Sequence, residues 1–292
     1  MIVEAAPAKL NLNLQIVGRR ADGFHLLDSL VAFSDIGDVV AVDAAAGLSL
    51  AIDGPFAPGL SAGADNLVLR AAIALQESCG TKAGAALRLT KNLPVASGIG
   101  GGSADAAAAL RALSRLWQID LPLAAIAARL GADVPACLAS QTCWMAGIGD
   151  VLEPCAPLPE AGLVLANPGI GLATPLVFKR RSGPFRAAQR FGIPATVAEF
   201  ARELGTASND LAAAAEELVP EIGILLGYLD ALPGVRLARM SGSGATCFAL
   251  FDSRKAARAA AKALELRVPG GWWVASGGWH KPPPSAVVRH VP

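Results

Sequence analysis

The sequence predicts an α+β protein of two lobes, and three observations carry that prediction. Its 292 residues suffice for two cores of about 100–150 residues each. Short polar–apolar alternations, the period of strands, are interleaved with helical stretches in both halves. The pattern restarts near Glu153–Pro159, so residues 1–155 read as an N-terminal lobe and 156–292 as a C-terminal lobe.

In chain order, Lys9 to Ile16 alternates strictly, which predicts a half-buried strand with Lys9 and Asn11 on one face. Gly18–Gly23 reads as a turn, and Val39–Val42 and Leu48–Ile52 as short strands. Asp65-Asn66 offers an N-cap for a helix near Leu67–Ser78, and Leu87–Thr90 alternates as a strand. Pro94–Ser103 is too glycine-rich to be regular and runs into an Ala-rich helix from Ala104 to about Trp117. A helix at about Leu121–Leu130 follows, and then Asp133 as an N-cap with Pro135 in the first turn. The second half reads as strands at Leu163–Ala166, Val235–Met240, Thr246–Phe251 and Trp272–Ala275. Helices are expected at about Val197–Leu204, Asp210–Asp230 and Ser253–Leu266. This describes helices layered on a mostly antiparallel sheet. The tail from Lys281 is expected to be extended.

Composition removes several classes of function. With 25 Lys+Arg against 24 Asp+Glu there is no basic footprint for nucleic acid, so the partner is expected to be a small molecule. No uninterrupted apolar run of about 18 residues suggests a membrane span, and Met1–Gln15 lacks the form of a secretory signal, so the chain is expected in the cytosol. Five scattered cysteines without a CxxC pair suit reduced buried thiols. Three histidines without HExxH make a histidine metal site improbable. Oligomeric state is left open.

Gly98, Gly100, Gly101 and Gly102, ending in Ser103 at a helix start, bring bare backbone N–H groups to the positive end of a helix dipole, a combination that binds anions. The spelling excludes a Walker A loop, because the chain has no Gly-Lys pair. It excludes the dinucleotide fingerprint, because Ser103 stands where the third Gly belongs, and a nucleophile elbow, because Asp105 follows Ala104. The alternative is a flexible turn before a helix, but so many glycines weaken a fold unless something needs the backbone.

Pro94-xxx-Gly98-Ile-Gly-Gly-Gly-Ser-Ala-Asp-Ala-Ala107 resembles the central phosphate-binding motif of the GHMP kinases. Ala6–Leu12 and Ser241–Ala245 resemble their first and third motifs. Within that superfamily, Gly18–His25, Gly131–Pro135, Thr174–Phe178 and Ser208-Asn-Asp210 are similar to the members that phosphorylate a cytidine-diphosphate-linked methylerythritol on the non-mevalonate route to isoprenoid precursors. The similarity is weakest in Gly183–Thr206 and in the tail. It implies a ribosomal-S5-domain-2-like N-terminal lobe and a ferredoxin-like C-terminal lobe, with ATP and Mg2+ in the cleft between them.

By this resemblance, Asp133 accepts the proton of the acceptor's 2-hydroxyl, and Lys9 holds Asp133 and the transferring phosphoryl in line. His25 recognises cytosine, with Phe24 and Phe178 as stacking plates, although relatives more often have Tyr where Phe24 stands. Asn11 and Thr174 contact the acceptor. Asn66 and Lys91 fall in the adenine pocket, and Pro94, Gly98, Gly100, Gly101, Gly102 and Ser103 surround the phosphates. Gly242, Ser243 and Gly244 shape the floor. Ser103 and Asp105 are metal candidates by their place in the chain alone, and Ala104 replaces a Ser common in the family.

Taken without the motifs, Asp133 is a helix cap, Lys9 a solvated strand residue and His25 a structural hydrogen-bonder. Phe24 and Phe178 are then core aromatics, and Gly242–Gly244 a hairpin turn. Two other functions compete: a kinase acting on homoserine, mevalonate or a sugar, and a nucleotide-binding module without catalysis. The Asp22–His25 and Thr174–Phe178 segments favour an acceptor carrying a base.

Overall fold

The computed structural model describes residues 1–281, so the extended tail expected beyond Lys281 lies outside the described residues. The first lobe contains β1 (Ile2–Asn11), β2 (Gln15–Arg19), β3 (His25–Ala45), β4 (Leu48–Asp53), α1 (Leu67–Cys79), β5 (Gly84–Thr90), α2 (Gly101–Leu116), α3 (Ala124–Leu130), α4 (Val134–Ala139), β6 (Cys143–Gly147) and β7 (Val151–Pro154). The second contains β8 (Gly162–Asn167), α5 (Thr174–Arg180), α6 (Val197–Thr206), α7 (Ala212–Leu218), α8 (Glu221–Asp230), β9 (Leu237–Met240), β10 (Cys247–Phe251), α9 (Arg254–Glu265) and β11 (Trp273–Gly278).

β3 organises the first sheet. Its 21 residues pair with β1 and β2 and also with β5 and β6, giving the order β4-β5-β3-β6-β7 with β1 and β2 attached to β3. Only its Val39–Val42 portion was expected from sequence. From Leu27 to Ser34 every residue is buried, so there is no alternation for a period-2 pattern to detect. The short strands β6 and β7 and the helix α5 were not expected either.

The second sheet runs β11-β8-β10-β9, all antiparallel, with helices after β8 and β10. That order and connectivity are ferredoxin-like, and the two-lobed α+β architecture is the one expected. α9 starts where Ser253 caps it, the Ser hydroxyl accepting from Ala256 N at 3.2 Å. The helix expected at Asp210–Asp230 is two, because Pro220 pushes Val219 to φ −139°, ψ 86° and breaks the run.

The alternating segment at Lys9–Ile16 departs from expectation in burial. Ala6 to Ile16 is buried on both faces and is interrupted between β1 and β2. Ala8, Leu10 and Leu12 pack into one apolar cluster with Leu163, Leu165, Phe248 and Leu250 of the second sheet. The other face carries Lys9 and Asn11, which are 3 % exposed. The second lobe covers one side, and on the other these polar groups find partners rather than bulk water.

α2 lies against β1 and β3 through Ala104, Ala106–Ala109, Ala112 and Leu113, all fully buried. These mostly small side chains let its backbone approach the sheet and fix the position of its N-terminus.

Candidate active site

α2 begins inside the glycine run. Gly100 is its N-cap with φ 64°, and Gly101, Gly102 and Ser103 form its first turn, so the segment expected to be irregular is partly helical. Its first intrahelical bond runs from Ala104 N to Gly100 O at 2.9 Å. No side chain caps the end and no acidic residue occupies the first turn, leaving the N–H groups of Gly101, Gly102 and Ser103 for a ligand.

These amides face a cleft of 760 Å³. Its walls include Lys9, Asn11, Asn66, Lys91, Pro94, Gly98, Gly100, Gly101, Gly102, Ser103, Asp133, Thr174, Phe178, Gly242 and Ser243. Lys9 Nζ donates to Asp133 Oδ1 at 2.6 Å, with the Lys9 side chain 4 % exposed and that of Asp133 36 %. Asp133 stands at the N-cap position of α4 but makes no side-chain cap bond, so its carboxylate is committed to Lys9 and the cleft. A Cβ on Gly100 would lie 3.3 Å from Lys9 Cβ and 3.9 Å from Asp133 Oδ2, so pair and glycine turn meet at one point.

The second lobe completes the loop. Asn11 N donates to Ser241 Oγ at 3.1 Å, and Thr246 N donates to Ser97 O at 3.1 Å. Gly98 has φ +76°, and a Cβ there would meet Gly244 O at 2.5 Å. Gly242 and Ser243 reach the cleft wall, whereas Gly244 packs inward toward Met240, Ile222 and Leu172. Ser243 Oγ lies 2.8 Å from Thr174 Oγ1. The Gly242–Gly244 segment therefore joins β9 to β10 and braces the glycine loop at once.

Three expected positions differ from the sequence reading. Lys91 is buried, its Nζ donating to Asp38 Oδ2 at 2.5 Å and Asp105 Oδ2 at 2.7 Å, directly beneath Gly101. A Cβ on Gly101 would be 3.1 Å from that ammonium. Asp105 is thus held by Lys91 and 3 % exposed, which withdraws it as a freely presented metal ligand. Burial pushes its carboxyl up to about 7, against the pull of Lys91. Phe24 is 60 % exposed and is not part of the cleft wall.

Asn66 serves the fold as well as the cleft, its Oδ1 accepting from Val68 N at 2.9 Å as the N-cap of α1. His25 stacks on Phe178 with centroids 5.2 Å apart and planes 30° apart. Burial, then the guanidiniums of Arg19 and Arg181, hold its imidazole below the ordinary range, which keeps it neutral at physiological pH. All five cysteines are free, and burial pushes Cys137 and Cys143 up to about 12, so they remain thiols. Asp38 was missed from sequence, and Ser241, though read within the third motif, was not expected to accept from Asn11 N. Neither contact lies at a diagnostic spacing, since Asp38 and Lys91 are 53 residues apart and Asn11 and Ser241 are 230 apart.

The model of the GHMP kinases N terminal domain matches residues 66–141, and that of the GHMP kinases C terminal matches 193–269. The chain is 56 % identical over 274 residues to 4-diphosphocytidyl-2-C-methyl-D-erythritol kinase of Cereibacter sphaeroides, covering 92 % of this chain and 96 % of the relative. The enzyme of the same name from Rhodospirillum rubrum is 52 % identical, over 94 % and 91 % of the two chains. A crystal structure of 4-(cytidine 5'-diphospho)-2C-methyl-D-erythritol kinase superposes with a TM-score of 0.79 at 34 % identity, covering 96 % of this chain and all of that one. Homoserine kinase from Cytophaga hutchinsonii, at 20 % identity and a TM-score of 0.64, shares the fold. The chain belongs to the 4-diphosphocytidyl-2-C-methyl-D-erythritol kinase family of the GHMP kinases.

Proposed function

We propose that this chain transfers the γ-phosphoryl group of ATP to the 2-hydroxyl of 4-diphosphocytidyl-2-C-methyl-D-erythritol, in the non-mevalonate route to isoprenoid precursors. The observation that carries the proposal is the 2.6 Å Lys9–Asp133 pair beside the uncapped N-terminus of α2 in a cleft of 760 Å³. Phosphoryl transfer has a loose transition state, so positioning and charge stabilisation dominate and a carboxylate suffices as base. The acceptor oxygen attacks the γ-phosphorus, its proton passes to Asp133, and the bond to the β-phosphate oxygen breaks to release ADP. Lys9 holds the Asp133 carboxylate in place through its 2.6 Å hydrogen bond and offsets charge on the transferring group. The amides of Gly101, Gly102 and Ser103 hold phosphate oxygens.

Mg2+ fits as an ion carried mainly by the phosphates. Among the described residues no group of three or more His, Cys, Asp or Glu could cage a metal. The Ser103 hydroxyl would hold it from the protein side, and bound there it supplies charge neutralisation at the phosphates. A cytosolic setting suits the five free thiols, and no helix among the described residues is long and apolar enough to cross a membrane.

The test is an assay of purified protein with ATP and this acceptor, alongside homoserine and mevalonate. ADP and the 2-phosphate should form only with the cytidine-linked alcohol. Absence of turnover with it, or equal turnover with the other two, overturns the proposal.

A further inference from the structure

Between α5 and α6 the chain makes no regular structure, yet it is laced onto the first lobe. Gln189 N donates to Gln15 Oε1 at 2.8 Å. Arg190 donates from Nε to Asp28 Oδ2 at 2.8 Å and, through both terminal nitrogens, to the Glu153 carboxylate at 2.8 and 3.1 Å. The Arg190 guanidinium also lies over the Trp144 ring at 5.3 Å, and Phe191 meets that ring edge-on at 5.6 Å. This segment therefore runs from the second lobe across β2, β3, β6 and β7, and its attachment centres on a buried carboxylate, Asp28, that is 3 % exposed.

Upstream of that anchor the same segment brings an aromatic ring against His25, which lies outside the cleft wall but stacks on Phe178, a residue of that wall. Phe185 meets His25 edge-on with centroids 6.4 Å apart, on an imidazole that already stacks against Phe178. Arg181 turns back to donate to Gly183 O and Pro184 O at 2.9 and 2.6 Å, and its guanidinium sits over the Phe185 ring at 5.1 Å. Phe185 remains 48 % exposed, an apolar ring held in place with one part still open to water. A ring fixed in this way costs little entropy when it meets a flat ligand. Residues 181–191 fall outside both family-model matches, which span 66–141 and 193–269.

We propose that this segment is a specificity strap. Phe185 supplies a further aromatic contact to the base of the nucleoside-diphosphate acceptor beside His25, and Arg190 is the positioning residue that fixes Phe185 there through Asp28 and Glu153. The proposal rests on the cytidine-linked acceptor assigned above. It is read by direct binding, so it can fail while the kinase assignment stands, and the reverse.

Calorimetric titration with CDP tests it on the whole chain. Phe185→Ala should weaken CDP binding about tenfold, the loss of one base-stacking partner. Arg190→Ala should weaken it comparably, and Arg190→Lys, which keeps a cation on Asp28 without the fork to Glu153, should recover part of the loss. In turnover the same variants should raise KM for the acceptor and leave KM for ATP unmoved, a division that general loss of structure would not produce. Phe185 is half-exposed, so its variant tests the idea even if Arg190→Ala fails to fold. Unchanged CDP affinity in Phe185→Ala overturns the proposal, as does an equal loss of ATP affinity or failure of the unaltered protein to bind CDP.

Discussion

Replacing Asp133 with Asn removes the negative charge and the proton acceptor but keeps the shape and an oxygen that can still accept from Lys9. Coulomb attraction between unit charges 2.6 Å apart is roughly 6 kcal/mol at an effective dielectric of 20, and the 36 % exposure of the Asp133 side chain reduces it well below that. The structural loss is therefore small, and the melting temperature should fall by only a few degrees. The chemical loss should be large, because a positioned general base contributes about 10²–10⁴ in rate, or roughly 3–5 kcal/mol of barrier. Release of ADP under saturating substrates measures kcat, and calorimetry with a non-hydrolysable ATP analogue measures nucleotide affinity. We expect kcat to fall within that range while analogue affinity holds. Lys9→Met should cost a similar factor, and the double variant little more than either alone, because the two side chains act as a unit. A fall in kcat of less than about tenfold, outside the general-base range, would refute the reasoning. So would an equal fall in analogue affinity, or additive losses in the double variant.

Two further outcomes follow from the glycine loop and its support. Gly98→Ala should lower the melting temperature and abolish turnover, since its Cβ would stand 2.5 Å from Gly244 O at a φ of +76°; a thermal melt with wild-type behaviour would contradict the interlock between the lobes. Asp105 has a carboxyl raised by burial from an ordinary 3.8 to about 7, so the folded state binds more protons than the unfolded one across that window. Stability from this group is then highest below about pH 4 and declines as pH rises toward 7. Asp105→Asn should flatten the change in melting temperature between pH 5 and pH 8, by about 2–4 °C for each kcal/mol of linkage removed. Parallel profiles for the two proteins would show that Asp105 is ionised throughout.

What the sequence made legible was local chemistry. Asn66 and Ser253 each cap the helix that follows them, as their types and positions predict. The glycine run at 98–102 announced a backbone site, because no other residue type explains so many missing side chains at a helix start. Hidden from it was everything set by contact between distant segments. The Leu27–Ser34 part of β3 lacks a readable period because it is buried on both faces, and in the Lys9–Ile16 segment the second sheet covers Ala8, Leu10 and Leu12 while Lys9 on the other face is buried against Asp133. Lys91 reads as an adenine-pocket residue, and what the sequence does not show is that two carboxylates 53 and 14 residues away hold its ammonium. The segment at 181–191 has no periodicity at all, and only its anchor residues, scattered from Gln15 to Glu153, reveal that it is ordered by the opposite lobe.

The charge inventory of the cleft explains why glycine dominates the nucleotide side. Its walls carry two cations, Lys9 and Lys91, against three acidic residues, Asp65, Asp105 and Asp133. Lys91 is already satisfied by Asp38 and Asp105, and Lys9 by Asp133. A triphosphate entering this cleft meets no ammonium without a carboxylate partner, so Lys9 is supplemented by neutral sources of attraction: the unpaired amides of Gly101, Gly102 and Ser103 and the dipole of a 16-residue helix behind them. Those amides reach phosphate oxygens only if no Cβ stands in the way, and at Gly101 the space a Cβ would need is held by Lys91 Nζ, 3.1 Å off. The buried Asp38–Lys91–Asp105 cluster therefore acts as a support that fixes the helix start: Lys91 is matched by Asp38, and burial raises the Asp105 carboxyl to about 7, so the cluster leaves no spare positive charge for the ligand. The same shortage of free cations is the physical reason for a divalent ion carried on the phosphates, since backbone dipoles alone are weak against the charge that moves from ATP toward the acceptor.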